Sequence, residues 1–297
     1  MGNHFEITVT GSEEELALAQ IDSAFAEIRR IEKLLTTFDD NSQVNAVNAS
    51  AGIQPVEVDK EVFELVQRSL RISSITDGAF DITYGSLDKR LWNFDRTMTS
   101  LPDAAAARKG VKLINYRNVL LDESACTIML KEKGMRMGFG GIGKGYAADM
   151  AKAFLIEQGV SGGIVNASGD LTAWGKDANG QEWKVGIANP DLAAEPFSWL
   201  PISNLAIATS GNYEKFVIID GKRYSHTINP KTGLPVTGIK SVTIMAPNAE
   251  LADAMTTPVM IMGINAGIGM INQIPGLACI VIDDHNNIFS SRNIHLI

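Results

Sequence analysis

The spacing of apolar residues changes early in the chain, from the alternation of a strand to the three- and four-residue intervals of a helix. Residues 4–11, HFEITVTG, alternate between apolar and polar side chains and predict an edge strand. The next segment predicts a long helix with one buried face, and Ser12 with Glu15 has the spacing of a capping box. The residues expected on that face are Leu18, Ile21, Phe25, Ile28 and Leu35. Residues 59–76 predict a second amphipathic helix, whereas 38–50 between the two has the composition of turns.

Strands dominate the later pattern. Residues 101–110 predict a short helix, 118–130 a hairpin, and 143–158 a helix that buries Ala147, Ala151, Phe154 and Leu155. Strands follow as far as residue 246, and helices at 249–262 and 264–273 precede the last strands. Because strand and helix runs are segregated, we expect an α+β fold with mixed β-sheets flanked by helices. The chain has no repeat, low-complexity tract or linker, which predicts one domain over 1–297. Two intimately packed subdomains with the active site between them are the alternative within that domain.

Composition narrows the class of protein. The 297 residues are 45% hydrophobic, with a net charge of −8, a mean hydropathy of +0.04 and a pI near 5.1. An acidic chain is a poor partner for nucleic acid, and no apolar run approaches the roughly 20 residues that cross a bilayer. Cys126 and Cys279 lie in apolar, strand-like runs, so we expect buried thiols. The sequence opens on a predicted strand without the pattern of an export signal, so the protein is either cytosolic or has lost such a segment.

The stretch GFGGIGKGYAAD, 138–149, fits two phosphate-binding patterns at once. A P-loop needs a hydroxyl residue after the lysine, and here Lys144 is followed by Gly145. A dinucleotide fingerprint needs an acidic residue ending a second strand about 20 residues later, which is absent. What remains is a glycine-rich helix start beside a cation, which suits an anion such as phosphate. A glycine-rich helix start needed only for packing stays an alternative.

Two other groups of residues carry possible chemistry. His226 lies between Ser225 and Thr227, just before the turn sequence NPKTG, where these neighbours could orient an imidazole. Taken alone, a histidine in such a position more often has a structural role, and that alternative stays open. Asp253, Thr256 and Thr257 share one face of a predicted helix. One carboxylate and two hydroxyls form an oxygen set that suits Mg²⁺ better than zinc, but it is incomplete, and Asp253 on a solvated helix face is the alternative.

Taken together, these stretches resemble the FAD:protein FMN transferase family, also called the ApbE or thiamine-biosynthesis lipoprotein family. The resemblance runs from residue 1 to about 263 in unbroken order. It comprises MGNHFEI, the turn with Ser42 and Asn48, DGAFDIT, GGIGKGYAAD, TSGNY, YSHTINPKTGLPV and ADAMTTPVMIMG. The implied architecture is a single ApbE-like, T-fold-like domain.

The resemblance implies a phosphotransferase-type activity. Such enzymes bind FAD with Mg²⁺, release AMP and pass FMN to a threonine or serine hydroxyl of an acceptor protein, such as a subunit of a membrane redox complex. Two alternatives stay open: an FAD pyrophosphatase that forms FMN and AMP, and a non-catalytic flavin-binding protein. The family also implies a periplasmic lipoprotein held at the inner membrane by an N-terminal anchor, which this sequence does not contain.

Position by position, the resemblance also implies roles for individual residues. Asp253, Thr256, Thr257 and the main-chain carbonyl of Gly141 are the implied metal ligands, and His226 with Asp253 are the implied catalytic residues. The implied flavin-nucleotide contacts are Met1, Phe38, Ala79, Phe80, Asp81, Gly138, Lys144 and Thr227. Three positions depart from the family pattern, which has acidic residues where this chain has Gly138, Asn229 and Thr256. The departure at Thr256 lowers the negative charge expected at the metal.

Overall fold

The computed structural model describes residues 4–11, 13–88, 92, 98–188, 196–211 and 216–294. Among them lie seven α-helices: α1 (Glu14–Leu35), α2 (Gln43–Ala49), α3 (Lys60–Ile75), α4 (Ala104–Gly110), α5 (Gly143–Glu157), α6 (Ala249–Met262) and α7 (Ile264–Ile271). A 3₁₀ helix occupies Ile82–Ser86 and another occupies Tyr116–Asn118.

The same residues contain 14 strands: β1 (Phe5–Thr10), β2 (Val56–Glu57), β3 (Val119–Asp122), β4 (Thr127–Leu130), β5 (Gly162–Ala167), β6 (Asp170–Trp174), β7 (Trp183–Ala188), β8 (Pro196–Ile202), β9 (Ala206–Gly211), β10 (Phe216–Ile219), β11 (Lys222–Ser225), β12 (Ile239–Ala246), β13 (Ala278–Asp283) and β14 (Ile288–Ser290). The α+β class is confirmed. The sheets, however, were expected to be mixed and are antiparallel in every strand pair of the described residues, because hairpins rather than crossover helices join many neighbouring strands.

The described residues form two compact units, which we call unit 1 and unit 2. Unit 1 holds those within Met1–Glu32, Ile142–Tyr213 and Ile239–Ile297, and unit 2 holds those within Lys33–Gly141 and Glu214–Gly238. Neither unit is a continuous piece of chain. The prediction of one flavin transferase domain over 1–297 stays a prediction.

Unit 1 is built on a seven-stranded sheet in the order β1-β5-β6-β9-β12-β13-β14. Successive side chains of β6 point to opposite faces of this sheet. Leu171 and Ala173 pack with Val185 of the β7–β8 hairpin, whereas Thr172 accepts a hydrogen bond from Lys152 of α5. The sheet therefore has the hairpin on one face and α5 on the other, and α6 packs against β9 and β12.

Unit 2 combines small sheets with short helices. Its largest sheet among the described residues has three strands in the order β2-β4-β3, and β10 pairs with β11 in a separate ribbon. One buried apolar cluster contains Leu87, Trp92, Ala107, Val111, Ile114 and Ile228. Helix α4 and the segments next to both 3₁₀ helices meet at this cluster.

Most predicted elements are present, with corrections in the first 50 residues. Residues 38–50 were expected to be turns, but Gln43–Ala49 form α2, which begins where Ser42 Oγ accepts a hydrogen bond from Asn45 N. On the predicted buried face of α1, Ile28 and Leu35 are buried as expected and Ile21 and Phe25 are partly buried, but Leu18 is 58% exposed. Ala24 and Ile31, which were not predicted, complete the buried face. The predicted cap at Ser12 lies outside the described residues. Strands β8 and β11 were not predicted.

Two further sequence expectations concern the cysteines and the membrane. Cys279 is buried, whereas Cys126 is only partly so, and both thiols are free. Burial raises the pKa of Cys279 to about 11. No helix in the described part of the chain combines the length and the apolar character that crossing a membrane requires.

Candidate active site

The glycine-rich segment leads directly into α5 in unit 1. The residue before the helix, Ile142, has no polar side chain and gives no cap to the first N–H groups. Gly145 lies against the first residue of α6, since a Cβ atom built on it would lie 2.0 Å from the carbonyl oxygen of Ala249. A P-loop hydroxyl residue after Lys144 would therefore clash with the start of α6 unless the backbone shifted, and the close contact between two helix starts explains the glycine.

The N-terminus of α5 faces a carboxylate of the same unit. Asp253 of α6 is only 4% exposed, and its Oδ2 accepts a hydrogen bond of 3.2 Å from the main-chain N–H of Gly145. Burial raises the pKa of Asp253, and Lys144 together with the Gly145 N–H opposes that rise. The helix start that the sequence assigned to an anion thus already contacts a side-chain carboxylate of the protein.

Lys144 lies between two buried carboxylates. Its ammonium group forms an ion pair with Asp170 Oδ2 at the start of β6 and lies 3.6 Å from Asp253 Oδ1. The side chains of the two aspartates are 4% and 6% exposed, against 23% for the lysine. With both carboxylates ionised, these three residues carry one net negative charge, which favours binding of an additional cation in a region of low dielectric constant.

The chemistry of the oxygen atoms around Asp253 fits a hard divalent cation. Thr256 is 3% exposed and its hydroxyl donates to the main-chain oxygen of Asp253 at 2.8 Å, while Thr257 on the same helix is partly exposed. Among the described residues, no group of three or more His, Cys, Asp or Glu side chains is arranged to hold a metal. A Mg²⁺ ion at Asp253 therefore needs hydroxyls, main-chain carbonyls or the oxygens of a bound phosphate to complete its ligands.

Asp81, a predicted flavin contact, organises a turn in unit 2. Its Oδ1 accepts hydrogen bonds from the N–H and hydroxyl of Thr83, at 2.8 and 2.6 Å. Its Oδ2 accepts one of 2.8 Å from Tyr116 N–H. Burial raises the pKa of Asp81, although these hydrogen bonds oppose the rise. The carboxylate thus joins the starts of both 3₁₀ helices.

The other predicted flavin contacts of unit 2 differ widely in exposure. Ala79 and Phe80 are 5% and 4% exposed and belong to the core, whereas Phe38 is 94% exposed. Gly138 is partly exposed, and its N–H donates to Ile82 O at 2.9 Å. A Cβ atom on Gly138 would meet only Thr37, at 3.7 Å, so the position has room for a side chain.

His226 and Thr227 follow β11 in a hairpin of unit 2. Thr227 N–H donates to the hydroxyl of buried Ser225 at 2.9 Å, and Val236 pairs with both Ser225 and Thr227 through main-chain hydrogen bonds. His226 itself is partly buried. At the tip, Gly233 approaches α4 so closely that a Cβ atom would lie 2.1 Å from Ala107 O.

In unit 1 the structure places Lys144 beside Asp253 and puts Thr256 and Thr257 on the same helix. Gly141 is partly exposed in unit 2, and Met1 lies outside the described residues. Sequence reasoning did not select Asp170 as a site residue, although the acid follows a turn of small residues after a strand. It also passed over Asp149 at the end of the glycine-rich motif.

The chain is similar to known proteins of one family over nearly its whole length. The model of the ApbE family matches residues 1–281. An FAD:protein FMN transferase of Klebsiella pneumoniae (strain 342) is 32% identical over 293 residues, covering 98% of this chain and 89% of that protein. The enzyme of the same name from Treponema pallidum (strain Nichols) is 30% identical over 291 residues, covering 93% and 80%.

Solved structures of two ApbE proteins have the same fold as this chain. The ApbE protein of Thermotoga maritima superposes with a TM-score of 0.87 at 29% identity, covering 98% of this chain and 94% of that one. The flavin transferase ApbE of Vibrio cholerae gives a TM-score of 0.82 at 25% identity, covering 98% and 94%.

Proposed function

Since the chain belongs to the ApbE family, we propose that it transfers FMN from FAD to a threonine or serine hydroxyl of an acceptor protein and releases AMP. The names of its relatives support the reaction. The observation that carries the proposal is the buried arrangement of Lys144, Asp170 and Asp253 at the start of α5. A cation beside a carboxylate whose oxygen surroundings suit Mg²⁺ is what a pyrophosphate-cleaving enzyme needs.

Bond changes in this reaction are few. The acceptor oxygen forms a bond to the phosphorus on the FMN side of the pyrophosphate, and the bond from that phosphorus to the bridging oxygen breaks. The bridging oxygen leaves with AMP, and His226 is the proposed base that takes the hydroxyl proton. Help of this kind from a general base is worth about 10²–10⁴-fold.

Asp253, Thr256, Thr257 and the carbonyl of Gly141 are the proposed ligands of Mg²⁺, which when bound supplies positive charge to the phosphoryl oxygens. Lys144 adds a fixed cation that neutralises charge developing on those oxygens. Asp170 keeps the lysine at this place by the ion pair between them. Phe38, exposed in unit 2, is the described aromatic residue whose side chain is most available to stack on a flavin ring.

Asp253→Asn tests the proposal. The protein is incubated with FAD and Mg²⁺, with and without an acceptor protein, and AMP and flavin fluorescence on a denaturing gel are measured. We expect AMP release to fall at least 100-fold in Asp253→Asn, since loss of one stabilising group in a transition state costs about 10²–10³-fold. Asp22→Asn, an exposed carboxylate on α1, is the matched control and keeps the wild-type rate.

The same assay separates the alternatives. Acceptor-dependent AMP and covalent flavin support transfer, whereas equal AMP release without acceptor indicates a pyrophosphatase. FAD binding with no AMP indicates a flavin-binding protein. Unchanged AMP release in Asp253→Asn contradicts the assignment of Asp253.

We place the reaction at the periplasmic side of the inner membrane, on the strength of the family resemblance alone. Fractionation of cells that carry the native gene tests this, and recovery of the protein in the cytosolic fraction contradicts it.

A further inference from the structure

The starts of α5 and α6 cap each other through two aspartates of unit 1. Asp149, in the second turn of α5, accepts hydrogen bonds from the main-chain N–H groups of the first two residues of α6. Ala249 N–H donates to its Oδ1 at 3.0 Å, and Glu250 N–H donates to its Oδ2 at 2.8 Å. In return Asp253, in the second turn of α6, accepts from Gly145 N–H of α5 at 3.2 Å. Each carboxylate thus satisfies main-chain donors that its partner helix cannot satisfy itself.

Both helices have the same sequence pattern at this contact, a small residue and then an aspartate four positions later. A small residue, Gly145 or Ala249, is followed four positions later by Asp149 or Asp253. Residues four apart lie on the same face of a helix, so the small residue and the acid of each helix face the other helix together. The fit is close, because any Cβ on Gly145 would lie 2.0 Å from Ala249 O.

This arrangement makes the position of Asp253 depend on Asp149. The main chain of α6 begins on the two oxygens of Asp149, and one turn later the carboxylate of Asp253 lies beside Lys144. A shift of the first turn of α6 moves Asp253 away from Gly145 N–H and from Lys144. Groups that orient a metal ligand in this way commonly change metal affinity by about 10–100-fold.

We propose that Asp149 is a positioning residue that sets the affinity of the cation site at Asp253 by holding the first turn of α6 on α5. The inference rests on the proposed function, because that function makes Asp253 a metal ligand. Asp149 contacts neither metal nor substrate in this assignment. An ordinary helix cap would stabilise α6 without affecting the cation.

Asn248 provides the control for that ordinary role. Its side chain caps the same end of α6 by accepting a hydrogen bond from Leu251 N–H at 2.9 Å. This hydrogen bond lies within the start of α6 and does not involve α5. Asn248→Ala therefore removes a cap of α6 and leaves the bonds between Asp149 and α6 in place.

The experiment measures binding of Mn²⁺ alone, without FAD, to the whole chain by electron paramagnetic resonance. Wild type, Asp149→Asn, Asn248→Ala and Asp253→Asn are compared, with thermal unfolding recorded for each. We expect the Kd for Mn²⁺ to rise about 10–100-fold in Asp149→Asn and to stay within twofold of wild type in Asn248→Ala. Should Asp149→Asn not fold, Asp149→Glu replaces it, and a rise of at least threefold is expected because the longer side chain shifts the helix start.

Each outcome has a distinct meaning. An unchanged Kd in the Asp149 variant, or an equal rise in Asn248→Ala at equal loss of stability, overturns the positioning role and leaves the proposed function in place. Wild-type binding that survives in Asp253→Asn overturns the positioning role and the assignment of Asp253 as a metal ligand, because the cation then binds elsewhere, whereas FMN transfer itself is tested by the AMP assay. A rise confined to the Asp149 and Asp253 variants supports the inference.

Discussion

Unit 1 and unit 2 hold their candidate residues by different means. In unit 1, Lys144, Asp170 and Asp253 belong to α5, β6 and α6, and contacts between those elements place each charge. In unit 2, Asp81 lies at a 3₁₀ helix start and His226 lies in a hairpin. The hydrogen bonds there join turn residues two positions apart, and for Asp81 also the N–H of Tyr116 at the next 3₁₀ helix. The candidate side chains are thus placed by contacts between helices and a strand in unit 1, and by hydrogen bonds to the main chain of turns and 3₁₀ helices in unit 2.

This difference predicts unequal sensitivity to substitution. A charge buried between helices depends on its partner, so removing one member leaves the other without compensation. A turn residue loses mainly its own hydrogen bonds. We therefore expect substitutions to affect stability most in unit 1 and least in unit 2.

Lys144→Met is expected to have the largest effect. It leaves Asp170 and Asp253 as buried carboxylates without their shared cation, so the free energy of unfolding in urea at pH 7 should fall by about 3–5 kcal/mol. The double variant with Asp170→Asn should recover part of that loss, since one uncompensated charge is then removed. A loss within about 0.5 kcal/mol, as for ordinary surface positions, would contradict the description of these residues as a buried charge cluster.

Two glycines of the same motif give the next comparison. Gly145→Ala places a methyl group on the start of α6 and should lower the free energy of unfolding by about 1–3 kcal/mol through overpacking. Gly140, in unit 2, has no atom within 4 Å of a built Cβ, so Gly140→Ala should stay within about 0.5 kcal/mol of wild type. Denaturant unfolding of both variants checks this, and equal losses would show that close packing is not the difference between them.

The smallest expected effect is the pH dependence due to Asp81. Burial raises its pKa in the folded protein above the ordinary value of 3.8, so the folded state binds more protons in that range. Its contribution to stability is therefore present below the unfolded pKa and is lost as the pH rises through the folded pKa. Asp81→Asn should remove this slope while costing about 1 kcal/mol at neutral pH, because the amide nitrogen cannot accept the hydrogen bond that one carboxylate oxygen accepts. Urea unfolding from pH 3.5 upwards measures both, and an unchanged slope would assign it to another group.

Periodic elements were predictable because their pattern is local. Strand β1 and helices α3, α5 and α6 follow from alternation or helical spacing within a few residues. Helix α2 did not follow, because its Asn-rich sequence is typical of turns. Its stability depends on long-range contacts such as that of Asn48, whose side chain bonds both N and O of Met137. The composition of residues 38–50 does not indicate that Asn48 will contact Met137, which lies far away in the sequence.

For the candidate site, too, the sequence predicted what depends on local pattern and missed what depends on long-range contacts. The family, confirmed by the comparisons, was identified from ordered motifs, and the helix bearing Asp253 from its spacing. The ion pair of Lys144 with Asp170 was not, because it depends on where β6 lies in the sheet relative to α5. Phe80, assigned to the flavin by resemblance, is buried, and that contact stays a prediction.

The discontinuous course of unit 1 has a consequence for biosynthesis. Strand β1 pairs with β5, where Phe5 lies opposite Ala167, and β12, an interior strand of the same sheet, is synthesised later than both. At a translation rate of about 5–20 residues per second, the first strand waits roughly 10–30 s for its neighbour. During that interval its unpaired edge is open to aggregation, so the nascent chain should depend on chaperones more than a chain with local pairing.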